Sequence, residues 1–236
     1  EVELLEHCLR ADLNKRAVRR LGVLHPLKVV IENYPDGQTE ELDAVNNPED
    51  SEAGKRKVSF SREIFIDRND FMEDPPKKYF RLSPGKEVRL KYAYYVTCKE
   101  VIKDEKGEVK ELICSYDPES RGGGSPDGRK VKGTIQWVDA GTAVRAEVRL
   151  YDRLFSKANP EDSEDGSDFI DHLNPDSLER VEGALVESSI TNLNTGESFQ
   201  LERIGYFCID PDSQQEVELV LNRTVALRDS WAKANK

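Results

Sequence analysis

Clustered metal ligands and activated nucleophiles are what this sequence lacks. It has 3 histidines, His7, His25 and His172, far apart in the chain, and 4 cysteines, Cys8, Cys98, Cys114 and Cys208, with no CxxC pair. That leaves no zinc-type spacing. The acidic run from 161 to 171 carries Gly166 where a calcium loop needs its glycine. Glu161 and His172, however, stand where such a loop needs an Asp and a carboxylate. There is no G-x-S-x-G and no G-x-x-x-x-G-K, and the Gly122-Gly123-Gly124 run is not followed by a helical pattern, so it reads as a linker. No residue is assigned a catalytic or metal-binding role. No stretch approaches the ~20 apolar residues of a membrane span, and no leader is visible. Cys98, Cys114 and Cys208 sit in apolar or aromatic runs, where a free thiol behaves as a small hydrophobe, so a reduced, cytoplasmic chain is expected. The sole methionine is Met72, and the chain opens inside an amphipathic pattern. It reads as a fragment or a processed product whose partner domain holds any chemistry.

Positive charge is also scarce overall. The net charge is -11, which taken alone argues against nucleic acid. The charges are segregated, however. Between 36 and 52 they are all acidic, whereas basic residues gather at 10–20, 55–57, 77–91 and 129–132. That permits one basic face on an acidic protein, although most charge runs are solvated faces.

What is present is a series of short strand patterns. Val2, Leu5, Cys8, Leu9 and Leu13 fall at helical spacing and predict one helix to about residue 16, with Lys15 and Arg16 where the helix dipole favours cations. After Pro26 the period changes to two. Strands are expected at 27–31, 58–66, 79–82, 88–100, 109–116, 131–138, 142–151, 183–190, 198–210 and 217–227, with a weak strand within 38–55. Asp104-Glu-Lys-Gly107 reads as a hairpin turn and Tyr34-Pro-Asp-Gly37 as another turn. A short helical turn is expected within 67–76 and another at 175–179, and 117–128 is expected to be the most flexible stretch. The class is all-β, sandwich or barrel, without helical crossovers.

Two sets of residues suit binding. Lys77-Lys78-Tyr79-Phe80-Arg81 interleaves cations with aromatic rings, and Arg89 and Lys91 alternate on one strand. Such a surface can hold phosphates and stack unpaired bases, or it can be an ordinary solvated face. Gln200, Glu202 and the neighbouring Arg203 combine an amide, a carboxylate and a guanidinium, which can read base edges or simply line a polar strand face.

Several longer strings carry a family resemblance. They are VIENY (30–34), EIFIDRNDF (64–72), GKEVRLKYAY (85–94), DGRKVKGTIQWV (127–138), EVRLYDRLF (147–155), FQLERIGYFC (199–208) and NRTVALRDSWAK (222–233). In order and spacing they are similar to the C-terminal anticodon-binding region of glutaminyl-tRNA synthetases, over essentially the whole chain. The resemblance implies two consecutive small antiparallel β-barrels, similar to the barrel of a 5S-RNA-binding ribosomal protein, after one N-terminal helix. The implied division is 1–20 for the end of a helical connecting domain, 21–130 for the first barrel and 131–236 for the second, and it leaves open a return of the last strand to the first. It further implies that Arg19, Gln200, Glu202 and Arg203 read the middle uridine of the anticodon. Lys77, Lys78 and Arg81 would surround the third base, Arg89 and Lys91 would hold the first, and Ser230 would stand where the family often has a hydroxyl nearby. Lys91 departs from the commoner Arg and cannot make a flat bidentate contact. Glu49 stands where a polar amide can occur and receives no role.

The implied partners are the anticodon stem-loop of tRNA(Gln) and the protein's own catalytic domain, in a monomer that binds neither DNA nor membrane. ATP with Mg would serve the full-length enzyme and no cofactor would sit in this chain, since the HIGH and KMSKS signatures of class I synthetases are absent from it. Two alternatives stay open. One is the same module from an archaeal or eukaryotic-type glutamyl-tRNA synthetase. The other is a protein-interaction β-sandwich, which scattered placement of these residues would favour.

Overall fold

Leu9 and Leu13 share one face of the opening helix, α1 (Val2–Arg16), in the structure, a computed structural model that describes residues 2–162, 166, 168–213 and 219–228. Leu13 packs with Ala17, Tyr206 and Val225, and Arg10 Nε donates to the Ala226 carbonyl at 2.7 Å. The helix therefore docks on the C-terminal part of the chain.

Among the described residues sixteen strands follow: β1 (Val18–Arg20), β2 (Gly22–Val23), β3 (Pro26–Ile31), β4 (Thr39–Val45), β5 (Lys55–Ser61), β6 (Glu63–Asp67), β7 (Glu87–Leu90), β8 (Tyr95–Lys103), β9 (Val109–Asp117), β10 (Thr134–Ile135), β11 (Trp137–Asp139), β12 (Val144–Tyr151), β13 (Leu178–Val186), β14 (Ser198–Leu201), β15 (Gly205–Ile209) and β16 (Leu219–Ala226). They form two seven-stranded sheets. The first runs β10-β7-β8-β9-β3-β6-β11 and the second β1-β14-β15-β16-β12-β13-β2, while β4 and β5 pair as a separate ribbon. Only Gln136 separates β10 from β11, yet these strands occupy opposite edges of the first sheet. Only Leu21 separates β1 from β2, at opposite edges of the second. Each sheet must therefore curl until its edges meet, giving two nearly closed barrels with little exposed strand edge. The inward faces form separate cores. Trp137, Phe60 and Tyr34 anchor the first, and Phe199 and Phe207 the second.

The two barrels and the single helix match the architecture expected from sequence, but the pairing is not purely antiparallel. β1 with β14, β3 with β9, β7 with β10 and β12 with β16 are parallel. Their crossovers are made by barrel strands and loops rather than by helices. The sheets also divide the chain at other points than 20/21 and 130/131. β1 and β2 belong to the second sheet, and β10 and β11 to the first. The last described strand, β16, stays in the second sheet, between β15 and β12.

Several runs read as single strands are broken. Residues 58–66 split at Arg62, where the chain leaves the β4–β5 ribbon for the barrel. Val58, Phe60, Ile64 and Ile66 are all buried, so the alternation continues in phase and hides the break. The 88–100 run breaks at 91–94, and 198–210 is a hairpin turning at 202–204. Residues 79–81 form no strand, and Leu82 makes one isolated bridge to Phe71. In place of a helix at 175–179 there is a 3-10 turn at Phe169–His172, capped by Asp168 and Asp171, and β13 begins at Leu178. The 117–128 stretch, read as a loose linker, is folded back on the first barrel. Arg129 pairs with Glu87 (2.8 Å), Asp117 (2.5 Å) and Asp127 (2.7 Å).

A buried ionic group ties the barrels together. Arg56, on β5, donates Nη2 to Glu187 at 2.7 Å, just past the end of β13. The Glu187 carboxylate also accepts from the Leu21 amide at 2.7 Å, and Arg20 Nε lies 3.8 Å away.

Candidate nucleic-acid interface

Two turns face each other where the barrels meet, and each contains a non-glycine residue with positive φ: Tyr92 at 67° and Arg203 at 65°. L-residues with side chains rarely adopt this conformation, so the surroundings must hold it in place. Tyr92 Oη donates to Glu202 Oε1 at 2.6 Å. Lys91 Nζ lies 3.3 Å from Glu202 Oε2 and 4.9 Å from the Tyr92 ring centre. Trp137 Nε1 donates to the Lys91 carbonyl at 2.8 Å, fixing this turn to the first core.

One residue beyond Glu202, Arg203 grips Asp70 with two hydrogen bonds, Nη1 to Oδ2 at 3.0 Å and Nη2 to Oδ1 at 3.2 Å. Arg81 Nε shares the same carboxylate at 3.1 Å, and its Nη1 donates to the Asn69 carbonyl at 2.8 Å. Asp70 ends a 3-10 turn capped by Asp67. Burial pushes the Asp70 carboxyl up, against the downward pull of Arg203 and Arg81. Asp70 thus acts as a counter-ion that orients two guanidinium groups from different barrels.

Arg19 and Gln200 are partners across the parallel β1–β14 pair. The Arg19 guanidinium is buried and committed to the Ala17 carbonyl (2.6 Å) and to the carbonyl and side chain of Asn14 (2.9 Å each). Glu202 does not share a strand face with Gln200, because β14 ends at Leu201 and Glu202 lies in the turn. Likewise Lys91 lies beyond the end of β7, so Arg89 and Lys91 do not act from one strand. Arg89 instead lies 5.7 Å from the Tyr95 ring centre, and Arg129 lies 5.1 Å from it. Gly123 leaves room for Arg89: a Cβ there would stand 2.9 Å from its Cδ.

Lys77 and Lys78 are exposed. Next to them Phe80 is 53% exposed, with Lys132 Nζ 5.4 Å from its ring centre. Gly133 lets the chain pass against Phe80, since a Cβ there would meet the Phe80 carbonyl oxygen at 2.4 Å. Ser230 lies outside the described residues.

These contacts link Arg19–Gln200, Lys91–Glu202 and Arg203–Asp70–Arg81 across both barrels. Beside them opens a cleft of about 290 Å3 lined by Gly22, Leu24, Asp67, Asn69, Asp70, Arg81, Gln136, Arg203 and Ile204. The sequence reading missed Asp70, Tyr92 and Gln136. Asp70 lies inside a quoted motif, but a lone carboxylate gives no sign of which cations it will orient. Among the described residues no group of three His, Cys, Asp or Glu side chains could hold a metal ion, and no helix is long and apolar enough to cross a membrane.

Two family models match the chain, at residues 17–117 and 134–210, and both describe the anticodon-binding domain of class I tRNA synthetases (E and Q). The glutamine–tRNA ligase of Nitrobacter hamburgensis is 55% identical over 233 residues, covering 99% of this chain and 41% of the relative. That of Bradyrhizobium diazoefficiens is 56% identical with the same coverage, and that of Clostridium kluyveri is 51% identical over 97% of the chain and 41% of the relative. The chain thus spans about two fifths of the length of these curated relatives. Matched by both models, the chain belongs to the anticodon-binding domain family of the class I tRNA synthetases (E and Q).

Proposed function

We propose that this chain reads the anticodon loop of tRNA(Gln) for a longer glutamine–tRNA ligase. The observation that carries the reading is the polar junction between the barrels: Asp70 holds Arg81 and Arg203 beside one cleft, Glu202 holds Lys91, and Gln200 lies two residues before Glu202. Placement at one seam, rather than scatter, favours a binding surface over a protein-interaction sandwich. Unpaired bases entering the seam meet amide and guanidinium groups for their edges, while Lys77, Lys78 and Arg89 supply charge for phosphates. The seam's own carboxylates, Asp70 and Glu202, keep its cations oriented before RNA arrives. Arg19 contributes through its strand partner Gln200, because its guanidinium is already engaged. In the longer protein, charging of tRNA(Gln) with glutamine would use ATP and Mg. We place the protein in the cytoplasm as a monomer.

The test is a titration with the anticodon stem-loop of a glutamine tRNA and a copy whose middle uridine is cytidine, at ~50 and ~200 mM salt. The uridine loop should bind more tightly, weaken about tenfold or more across that salt range, and lose affinity with Gln200→Ala. Equal binding of the two loops to the full-length protein would overturn the reading.

Phe80 gives a separate prediction. Its ring is half exposed, with a cation near it, and a base–aromatic stack is worth ~1–3 kcal/mol. Phe80→Ala should therefore weaken the stem-loop by about tenfold and leave thermal stability within about a degree. Unchanged affinity would exclude Phe80 as a stacking platform.

A further inference from the structure

We infer that Gln136 is a base-reading residue, selecting an unpaired keto base, uracil or guanine, in the cleft between the barrels. The inference rests on the anticodon-binding reading above and adds a residue to it. Gln136 occupies the single position at which the first barrel closes on itself, between β10 and β11. It is only 3% exposed, it lines the cleft, and both Oε1 and Nε2 lack a hydrogen-bond partner. A buried amide normally finds partners for both ends. Asn47 is the contrasting case: its Nδ2 donates to the Lys15 carbonyl at 2.8 Å and its Oδ1 accepts from the Glu49 amide at 2.9 Å. The hydroxyl of Tyr79 is likewise buried without a partner, and it lies in the field of Arg81, Asp70 and Arg203.

The cleft fits one base. Its volume of about 290 Å3 lies near the lower end of the ~300–1,000 Å3 typical of small-molecule sites. Gln136 offers an acceptor beside a donor, which matches a ring N–H beside a carbonyl. Arg81 and Arg203 on the walls offer donors only, and these reinforce a carbonyl and oppose an amino group, while the carboxylates beside them are engaged, Asp70 by those two guanidiniums and Asp67 by the Leu24 and Asn69 amides. Cytosine and adenine, which present an amino group at the corresponding position, would leave the donors facing donors.

The test uses the full-length protein, unmodified and as Gln136→Met and Gln136→Glu, each checked by thermal melting. Binding is measured to the glutamine anticodon stem-loop and to copies with uracil changed to cytosine, or guanine to adenine, at each keto position. Gln136→Met should weaken the parent loop about tenfold or more. It should also shrink the penalty for one of the base changes to within about threefold, with the melting temperature held or raised. Gln136→Glu, which keeps Oε1 and loses the donor, should show the same loss. In the unmodified protein the Gln136 side-chain amide signal should shift with the parent loop and not with the changed one, which keeps the test valid if a variant misfolds. Identical base penalties in all three proteins, or an amide signal indifferent to the loop, would overturn the role of Gln136 and mark the amide as hydrated. If the unmodified protein itself fails to separate the loops, the anticodon-binding reading falls instead.

Discussion

Glu187→Ala is expected to lower the melting temperature by on the order of 10 °C. Its carboxylate is the counter-charge for Arg56 and Arg20 inside the molecule, where the side chains of Glu187, Arg56 and Arg20 are 7%, 8% and 8% exposed. Taking one partner out of a buried ion pair costs ~3–5 kcal/mol, because the remaining charge is left without compensation. For a protein of this length each kcal/mol shifts the midpoint by about 2–4 °C. Burial already pulls the Arg20 guanidinium down, and Glu187 is the main group opposing that shift. Replacing the charge together with one partner, as in Glu187→Leu with Arg56→Met, should recover only the part of the loss that comes from Arg56, since Arg20 stays buried without its counter-charge. The same carboxylate joins the β4–β5 ribbon to the second barrel, so calorimetry of Glu187→Ala should show a broadened or split transition. A single transition at the parent temperature would rule out this junction as a major source of stability.

Trp137→Ala is expected to cost ~3–5 kcal/mol in denaturant unfolding, the range for truncating a large aromatic in a packed core. Trp137 is 1% exposed, and its ring stands edge-on to Phe60 at 5.1 Å. It also supports the interface, through Nε1 to the Lys91 carbonyl. Trp137→Phe separates the two roles. It keeps most of the packing, so stability should fall less than in Trp137→Ala, but the turn carrying Lys91 and Tyr92 loses its tether. Stem-loop affinity of Trp137→Phe should therefore fall by more than its stability loss implies. A Trp137→Ala variant that loses under about 1 kcal/mol would show that the core reorganises around the gap.

The fold was legible where local signals were strong. Helical spacing located α1 and the Asp104–Gly107 turn marked the β8–β9 hairpin, whereas the change to strands comes before Pro26, at β1 and β2. It was illegible where tertiary partners cut a continuous pattern. Tyr92 and Arg203 make left-handed turns without glycine or asparagine, so nothing in the sequence punctuates the chain there. Their conformations are held from outside, by Glu202 and by Asp70. The candidate site divides in the same way. Its cations and Gln200 stood out by residue type and by resemblance, while the groups that orient them became visible only once both barrels were in place. Gln136 was hidden more deeply, because a lone amide in a strand pattern carries no signal until its missing partners can be seen.

The handover at Leu21 has a consequence for synthesis on the ribosome. Val18 pairs beside Phe199 and Gly22 beside Val186, so the earliest of these strands belong to the sheet that the later ones complete. At ~5–20 residues per second, about 10–40 s separate the emergence of β1 from that of its neighbour β14. Strands β3 to β11 emerge as one block in that interval and can close their own barrel. Until β13 and β14 arrive, β1 and β2 must wait as unpaired edges beside a finished neighbour. That waiting period, rather than the finished molecule, is where a nascent chain of this design is most open to capture by a chaperone or by another copy of itself.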